Sequence, residues 1–112
     1  MPTIETCGHE NRRTTFSYRG DVANGITIEF ESGDFDIDAN TIQNVLNHFS
    51  GQQVPGGFSM TEPTAGGVGE FLSRQGDLLT SRHASFLCAA LQYEGYVECE
   101  LNGNAVIVTF NA

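Results

Sequence analysis

The chain has 112 residues, 39% of them hydrophobic, with eight Phe, 13 Gly and a net charge of −9 from 14 acids against five Arg and no Lys. That length suits a single domain, 1–112, with one core and excludes two. The charge repels polyanions and anionic lipid, which argues against a membrane partner and accommodates a basic one.

In chain order, residues 1–15 are polar and carry Cys7, Gly8, His9 and the pair Arg12-Arg13; they read either as a flexible arm or as an edge strand. Thr14–Tyr18 suggests a short strand, and Gly20 through Gly25, with Asp21 and Asn24, a loop. Ile26, Ile28 and Phe30 alternate with Thr27, Glu29 and Glu31, as in a half-buried strand. Ser32-Gly33-Asp34 turns the chain and Phe35 and Ile37 continue the alternation, so residues 16–37 predict a β-hairpin with an acidic outer face. A helix follows, with Asp38 or Asn40 as cap and Gln43 completing a pattern like a capping box. Its Ile42, Val45, Leu46 and Phe49 recur at i, i+3, i+4 and i+7, and Gly51 ends it.

Gln52–Gly67 is rich in Pro, Gly and Thr but carries Val54, Phe58 and Met60, and it is too long for a plain connector. Part of it is expected to pack down as a short strand at Phe58–Met60. A short helix spans roughly Val68–Gln75, with Val68, Phe71 and Leu72 inward and Gly76 as its stop. The long helix Thr80–Glu94, capped by Thr80 or Ser81, places Ala84, Leu87, Cys88 and Leu91 on one face. Phe86, Ala89, Ala90 and Tyr93 widen that face until the helix is apolar nearly all round, the mark of a helix buried between other elements. Gly95 ends it. Val97, Cys99 and Leu101 then alternate with Glu98 and Glu100, Asn102-Gly103 suits a type I′ turn, and Val106, Val108 and Phe110 form the return strand.

The order from Asp38 onward is helix, long loop with a strand, short helix, tight turn, long helix, hairpin. That order, and the segment SRHASFLCAALQYEGYVECELNGNAVIVTF in particular, resembles the winged helix-turn-helix superfamily, in which the third helix leads through a Gly into two strands that form the wing. The resemblance is one of pattern and element order over about residues 38–110. The expected fold is α+β: an N-terminal β-hairpin followed by a winged-helix-like unit of three helices and a C-terminal β-hairpin. The resemblance implies Val68–Gln75 and Thr80–Glu94 as the helix-turn-helix pair, Ser81, Arg82, His83 and Ser85 near the exposed start of the recognition helix, and Asn102–Asn104 as the wing tip. A regulator of this kind would contact DNA through those four residues and Arg12-Arg13. Phosphate neutralisation needs Lys and Arg, whereas Thr80–Phe110 sets Arg82 alone against Glu94, Glu98 and Glu100.

No catalytic or metal motif stands out. Asp34, Asp36, Asp38 and Asn40 alternate like the start of a calcium loop, but Ala39 and Val45 occupy the positions of its Gly and closing acid. Cys7, His9, His48 and His83 lack the spacing of a zinc site. Gly66-Gly67-Val68-Gly69 lacks the Lys and Ser/Thr of a phosphate loop and reads as a close-packing entry to a helix. Cys88 and His83 lie about 140° apart around their helix, too far for a nucleophile and its base. Three cysteines cannot all pair; Cys88 and Cys99 read as buried thiols, which suits a reducing, cytoplasmic setting. The N-terminus has no apolar run of the signal-peptide kind. The expectation is a non-enzymatic interaction module without metal or cofactor. It would bind a protein partner of basic character, or a second copy as a homodimer, through Val54, Phe58 and Met60 with Ser81 and Arg82. A sequence-specific DNA-binding regulator is the second reading. An acidic nucleic-acid mimic or inhibitor, built on Asp21, Glu29, Glu31 and the Asp34–Asp38 run, is the third.

Overall fold

The computed structural model describes residues 3–8, 14–58, 64–75, 79–102 and 105–111. Their order is β1 (Thr3–Glu5), β2 (Thr15–Asp21), β3 (Gly25–Phe30), β4 (Gly33–Ile37), α1 (Ala39–Phe49), β5 (Gln53–Pro55), α2 (Val68–Ser73), α3 (His83–Tyr93), β6 (Val97–Asn102) and β7 (Ala105–Phe110). The strands make two antiparallel sheets, one in the order β1-β2-β3-β4 and the other β5-β7-β6, so the fold is mixed α+β.

Alternation along the first sheet turns Phe16, Tyr18, Ile26, Ile28 and Ile37 inward. Arg19, Asp34 and Asp36 point to solvent. There the Thr27 hydroxyl donates to Asp36 at 2.7 Å, and Arg19 pairs with Glu29 at 3.0 Å, an exposed pair worth less than about 1 kcal/mol. The expected hairpin is thus β3 and β4, one side of a four-stranded sheet that β2 and the edge strand β1 complete. Gly20 through Gly25 is not a loop: β2 runs to Asp21, β3 begins at Gly25, and only residues 22–24 turn. Gly20 adopts φ +88°, and a Cβ there would strike the carbonyl of Gly25, so glycine is what lets the two strands close on each other.

α1 begins where Asp38 accepts the Thr41 N–H at 2.7 Å, a bond that holds the Asp38 carboxyl below its usual range. Its Phe49 meets Phe71 of α2 at 5.4 Å and Phe110 of β7 at 5.2 Å, joining both helices to the second sheet. β5 lies at Gln53–Pro55, with Val54 opposite Val108; of the strand expected at Phe58–Met60 only Phe58 is among the described residues, and it is not in a strand. Being an edge strand, β5 tolerates the missing N–H of Pro55. At the start of α2, a Cβ on Gly69 would overlap the carbonyl of Gly57 and approach Ser81. The Gly69 N–H donates to the Gly56 carbonyl at 2.8 Å. These glycines serve close packing, as expected.

Every residue of Ala84–Leu91 in α3 is buried. More than two unbroken turns without a wet face require cover from opposite sides. The first sheet supplies one: Phe86 lies 5.1 Å from Phe16, 5.0 Å from Phe30 and 5.3 Å from Phe35, ring centre to ring centre. α2 and β6 pack on α3 as well. α3 starts at His83, three residues later than Thr80; before it the N–H groups of His83, Ala84 and Ser85 bond to the carbonyls three residues back, a tight 3₁₀-type turn. It ends as expected at Gly95, φ +89°, where the Gly95 N–H reaches Gln92 and the Tyr96 N–H reaches Leu91, a Schellman motif.

Two long-range ties fasten the first sheet to the rest. Glu94, at the end of α3, accepts the Tyr18 hydroxyl at 2.7 Å and the Val22 N–H at 3.2 Å. Burial first, and the bond to Glu94 second, raise the Tyr18 pKa above its ordinary value. The other tie is a disulfide between Cys7 and Cys99, whose Cα atoms lie 6.3 Å apart across 92 positions of sequence. The expectation of a free thiol therefore fails for Cys99. Cys88 is the free one, buried, with its thiol pushed up to about 12 by burial and so kept unreactive.

Two outcomes are expected in urea unfolding. Cys7→Ser lowers stability by about 2–5 kcal/mol, and reductant brings the wild type to the same midpoint while leaving the variant unmoved; a wild type indifferent to reductant would mean unpaired thiols. In a double-mutant cycle, Tyr18→Phe and Glu94→Ala couple by about 0.5–3 kcal/mol. Additive effects would remove Glu94 from the account of how the sheet is held.

Candidate functional site

The residues expected to bind a partner or DNA do not form one exposed surface. Ser81 and Ser85 are buried, 4% and 8% exposed, which corrects the expectation of an open helix start. The N-terminal segment covers one side, where Phe35 stacks on His83 at 4.1 Å and the Cys7 N–H donates to the Ser85 carbonyl at 3.2 Å, and α2 covers another, where Gly69 lies against Ser81. Arg82 is exposed and His83 half-buried. Val54, 9% exposed, faces the core instead of a docking loop because β5 pairs with β7. Phe58 is partly buried, with its ring against Gly56. Met60, Arg12 and Arg13 lie outside the described residues, as do the turn residue Gly103 and Asn104 of the expected wing tip.

The exposed apolar surface lies elsewhere. Among the described residues, the large hydrophobic side chains left open are Tyr93 at 60%, Leu101 at 45% and Tyr96 at 40%. Tyr93 and Leu101 line a groove of about 720 Å³ between β1 and β6, where Ile4 and Glu5 form one wall and Cys99, Glu100 and Leu101 the other. Gln92 and Tyr93, at the end of α3, lie between the walls. Both walls are sheet edges. The Cys7–Cys99 bond spans them, and no basic side chain among the described residues lines the groove.

Alternation places Leu101 with Val97 and Cys99 on the inward face, but burial fades along β6, from Val97 at 2% to the half-buried Cys99 to Leu101. Cover fades toward the turn end of β6, although Val106 opposite Leu101 still packs against the core. Tyr93 is likewise open at the end of α3. A place near the end of its element was the available signal for each; nothing in the sequence points to β1 as the opposite wall.

The remaining candidate sites are otherwise engaged. The Gly67 N–H donates to the Thr64 carbonyl at 3.0 Å and the Gly66 N–H to Glu70 at 3.3 Å, so these donors already serve the α2 entry. The sulfur of Cys7 is used in the disulfide. Among the described residues no three His, Cys, Asp or Glu side chains are grouped to hold a metal ion, and no helix is long and apolar enough to cross a membrane.

His83 has a structural task. Its Nδ1 accepts the Thr80 N–H at 3.2 Å, reaching back as the third residue of a capping box does. Burial, and then the charge of Arg82, lower its pKa. The folded state therefore prefers the neutral ring, and His83 contributes stability that is complete above the unfolded value of about 6.5 and declines as pH falls below it. NMR titration should place His83 below 6.5, and Phe35→Leu should move it back up; a value at or above 6.5 would contradict the role assigned to the stack.

No family model matches the chain, and neither the curated proteins nor the solved structures contain a significant match to it.

Proposed function

We propose that this domain is a non-enzymatic module that binds a protein partner in the groove between β1 and β6. The observation that carries this reading is the coincidence of two open sheet edges with exposed Tyr93 and Leu101 in one groove. Monomeric domains seldom leave large apolar side chains together at a concave site without a use for them, and tyrosine is enriched where proteins meet. The residues from α1 to β7 are read as a winged-helix-like unit. That reading is supported by the order α1-β5-α2-α3-β6-β7, the Gly95 stop and the C-terminal hairpin. The DNA-binding alternative gains no support from the buried Ser81 and Ser85 or from Glu98 and Glu100, exposed on β6. A disulfide between the segment after β1 and β6 belongs with an oxidising compartment, so we assign the protein there in preference to the cytoplasm.

Panning a random linear-peptide library against the wild type and a Tyr93→Ser/Leu101→Ser variant tests the site. The variant should stay folded, with its unfolding midpoint lowered only by the loss of the edge-on Tyr18–Tyr93 contact, and should retain less than a tenth of the selected peptides. Selection unaffected by the substitutions would put the binding surface elsewhere.

A further inference from the structure

We infer that the groove receives an extended peptide segment with basic side chains at alternate positions, which adds itself to the open edge of β6, alongside β1. This rests on the protein-binding reading of the groove and specifies the ligand. The argument begins with the direction of backbone groups. On β1, the Thr6 N–H donates to Thr14 beside β2 at 2.9 Å. Successive residues of a strand point their N–H and C=O groups to opposite sides, so those of Thr3 and Glu5 face away from β2, toward the open edge. On β6, the Cys99 N–H leaves the sheet to meet the Gln92 side-chain oxygen at 2.7 Å. By the same alternation the main-chain groups of Leu101 face that way too. Both walls thus present peptide groups of the kind a further strand would satisfy.

Gln92 shows what the edge accepts. Its amide oxygen occupies the position that a neighbouring strand's carbonyl would take opposite Cys99, while remaining an exposed side chain that can swing aside. A second depression continues along the same edge past Gln92, lined by Val97, Glu98 and Asn111, so the edge is accessible on both sides of this bond.

Charge selects the occupant. Glu5 and Glu100 line the groove, Glu98 lies next along the edge, and the whole chain carries −9. A second copy of β6 docked there would bring Glu98 and Glu100 against their own counterparts, an unfavourable cross-strand pairing, whereas Lys or Arg at every second residue of a ligand would meet them. Between those positions, apolar side chains would reach Leu101 and Tyr93.

The test uses the disulfide-bonded protein, backbone NMR and an acetylated, amidated heptapeptide of alternating Lys and Val beginning and ending in Lys. Chemical-shift changes should centre on Thr3–Glu5, Gln92-Tyr93 and Cys99–Leu101, with the Leu101 amide gaining at least tenfold protection from exchange. The matching Glu–Val peptide should bind at least tenfold more weakly. Of two Lys–Val peptides, one N-methylated on its valines and one on its lysines, at least one should lose tenfold or more in affinity. Glu5→Gln/Glu100→Gln should weaken the parent peptide by several-fold without moving the unfolding midpoint. Shifts centred on the Asp34–Asp36 face, or indifference to N-methylation in both frames, would reduce the binding to charge adsorption and overturn the inference. Self-association through these edges without peptide would make a second copy the occupant and also overturn it. Failure of the Lys–Val peptide alongside groove-dependent library peptides would sink the strand-addition inference while leaving the protein-binding reading intact.

Discussion

A helix that is apolar around its whole circumference cannot be served by one neighbour, and the rest of this fold answers that constraint. The C-terminal elements cover part of α3, through α2 and β6. They leave the side that carries Phe86, which the first sheet covers with Phe16, Phe30 and Phe35. The N-terminal strands are therefore as much a part of the core as the helices. Burying a Phe contributes about 1.5–3 kcal/mol, so a chain without that sheet would expose several such side chains at once. The same cover closes the start of α3 to large ligands, since Phe35 lies on His83 and Ser85 is enclosed. Packing thus decides which surfaces remain for function.

Much of the fold was legible because it rests on local rules. The alternation at Ile26–Ile37, the i, i+3, i+4 pattern of α1, the Gly95 stop and the two strands of the final hairpin each depend on neighbours within a few residues, and each lies where the pattern places it, although Asn102 pairs with Ala105 and so belongs to β6 and not to the turn. The errors came where distant contacts decide. β5 pairs Val54 with Val108, a partner from the far end of the chain that no local pattern names. Ser81 and Ser85, polar at a helix start, read as exposed, but Gly69 of α2 lies against the first and the segment after β1 bonds to the second. Leu101 fits an inward alternation, but alternation gives a face and not whether anything stands opposite it. The groove was illegible for the same reason: its walls come from residues nearly a hundred positions apart.

The cysteines show how a compositional argument can miss geometry. An odd count rules out complete pairing but says nothing of a single pair, and the fold brings Cys7 and Cys99 together while isolating Cys88. On the chain-entropy account, closing a loop of this length is worth about 4–5 kcal/mol. Glu94 works beside this bond. It sits at the end of α3 yet satisfies Tyr18 and Val22 of the first sheet, so a charge that weighs against DNA contact is also a structural acceptor.

Sheet edges are where an antiparallel fold risks unwanted pairing, and this molecule treats its four edges unequally. β4 carries exposed Asp34 and Asp36. β5 has three residues and ends in Pro55, and β1 also has three. β6 is the exception at six residues, with Leu101 open and one main-chain N–H covered by a movable glutamine. Its acids discourage pairing with another copy of the same anionic chain. They do not discourage a cationic strand, for which the same carboxylates are partners. The edge of β6 is thus guarded chiefly by charge, set beside the edge of β1 and tied near it by a disulfide, and it is from that combination that the proposal of a cationic strand starts.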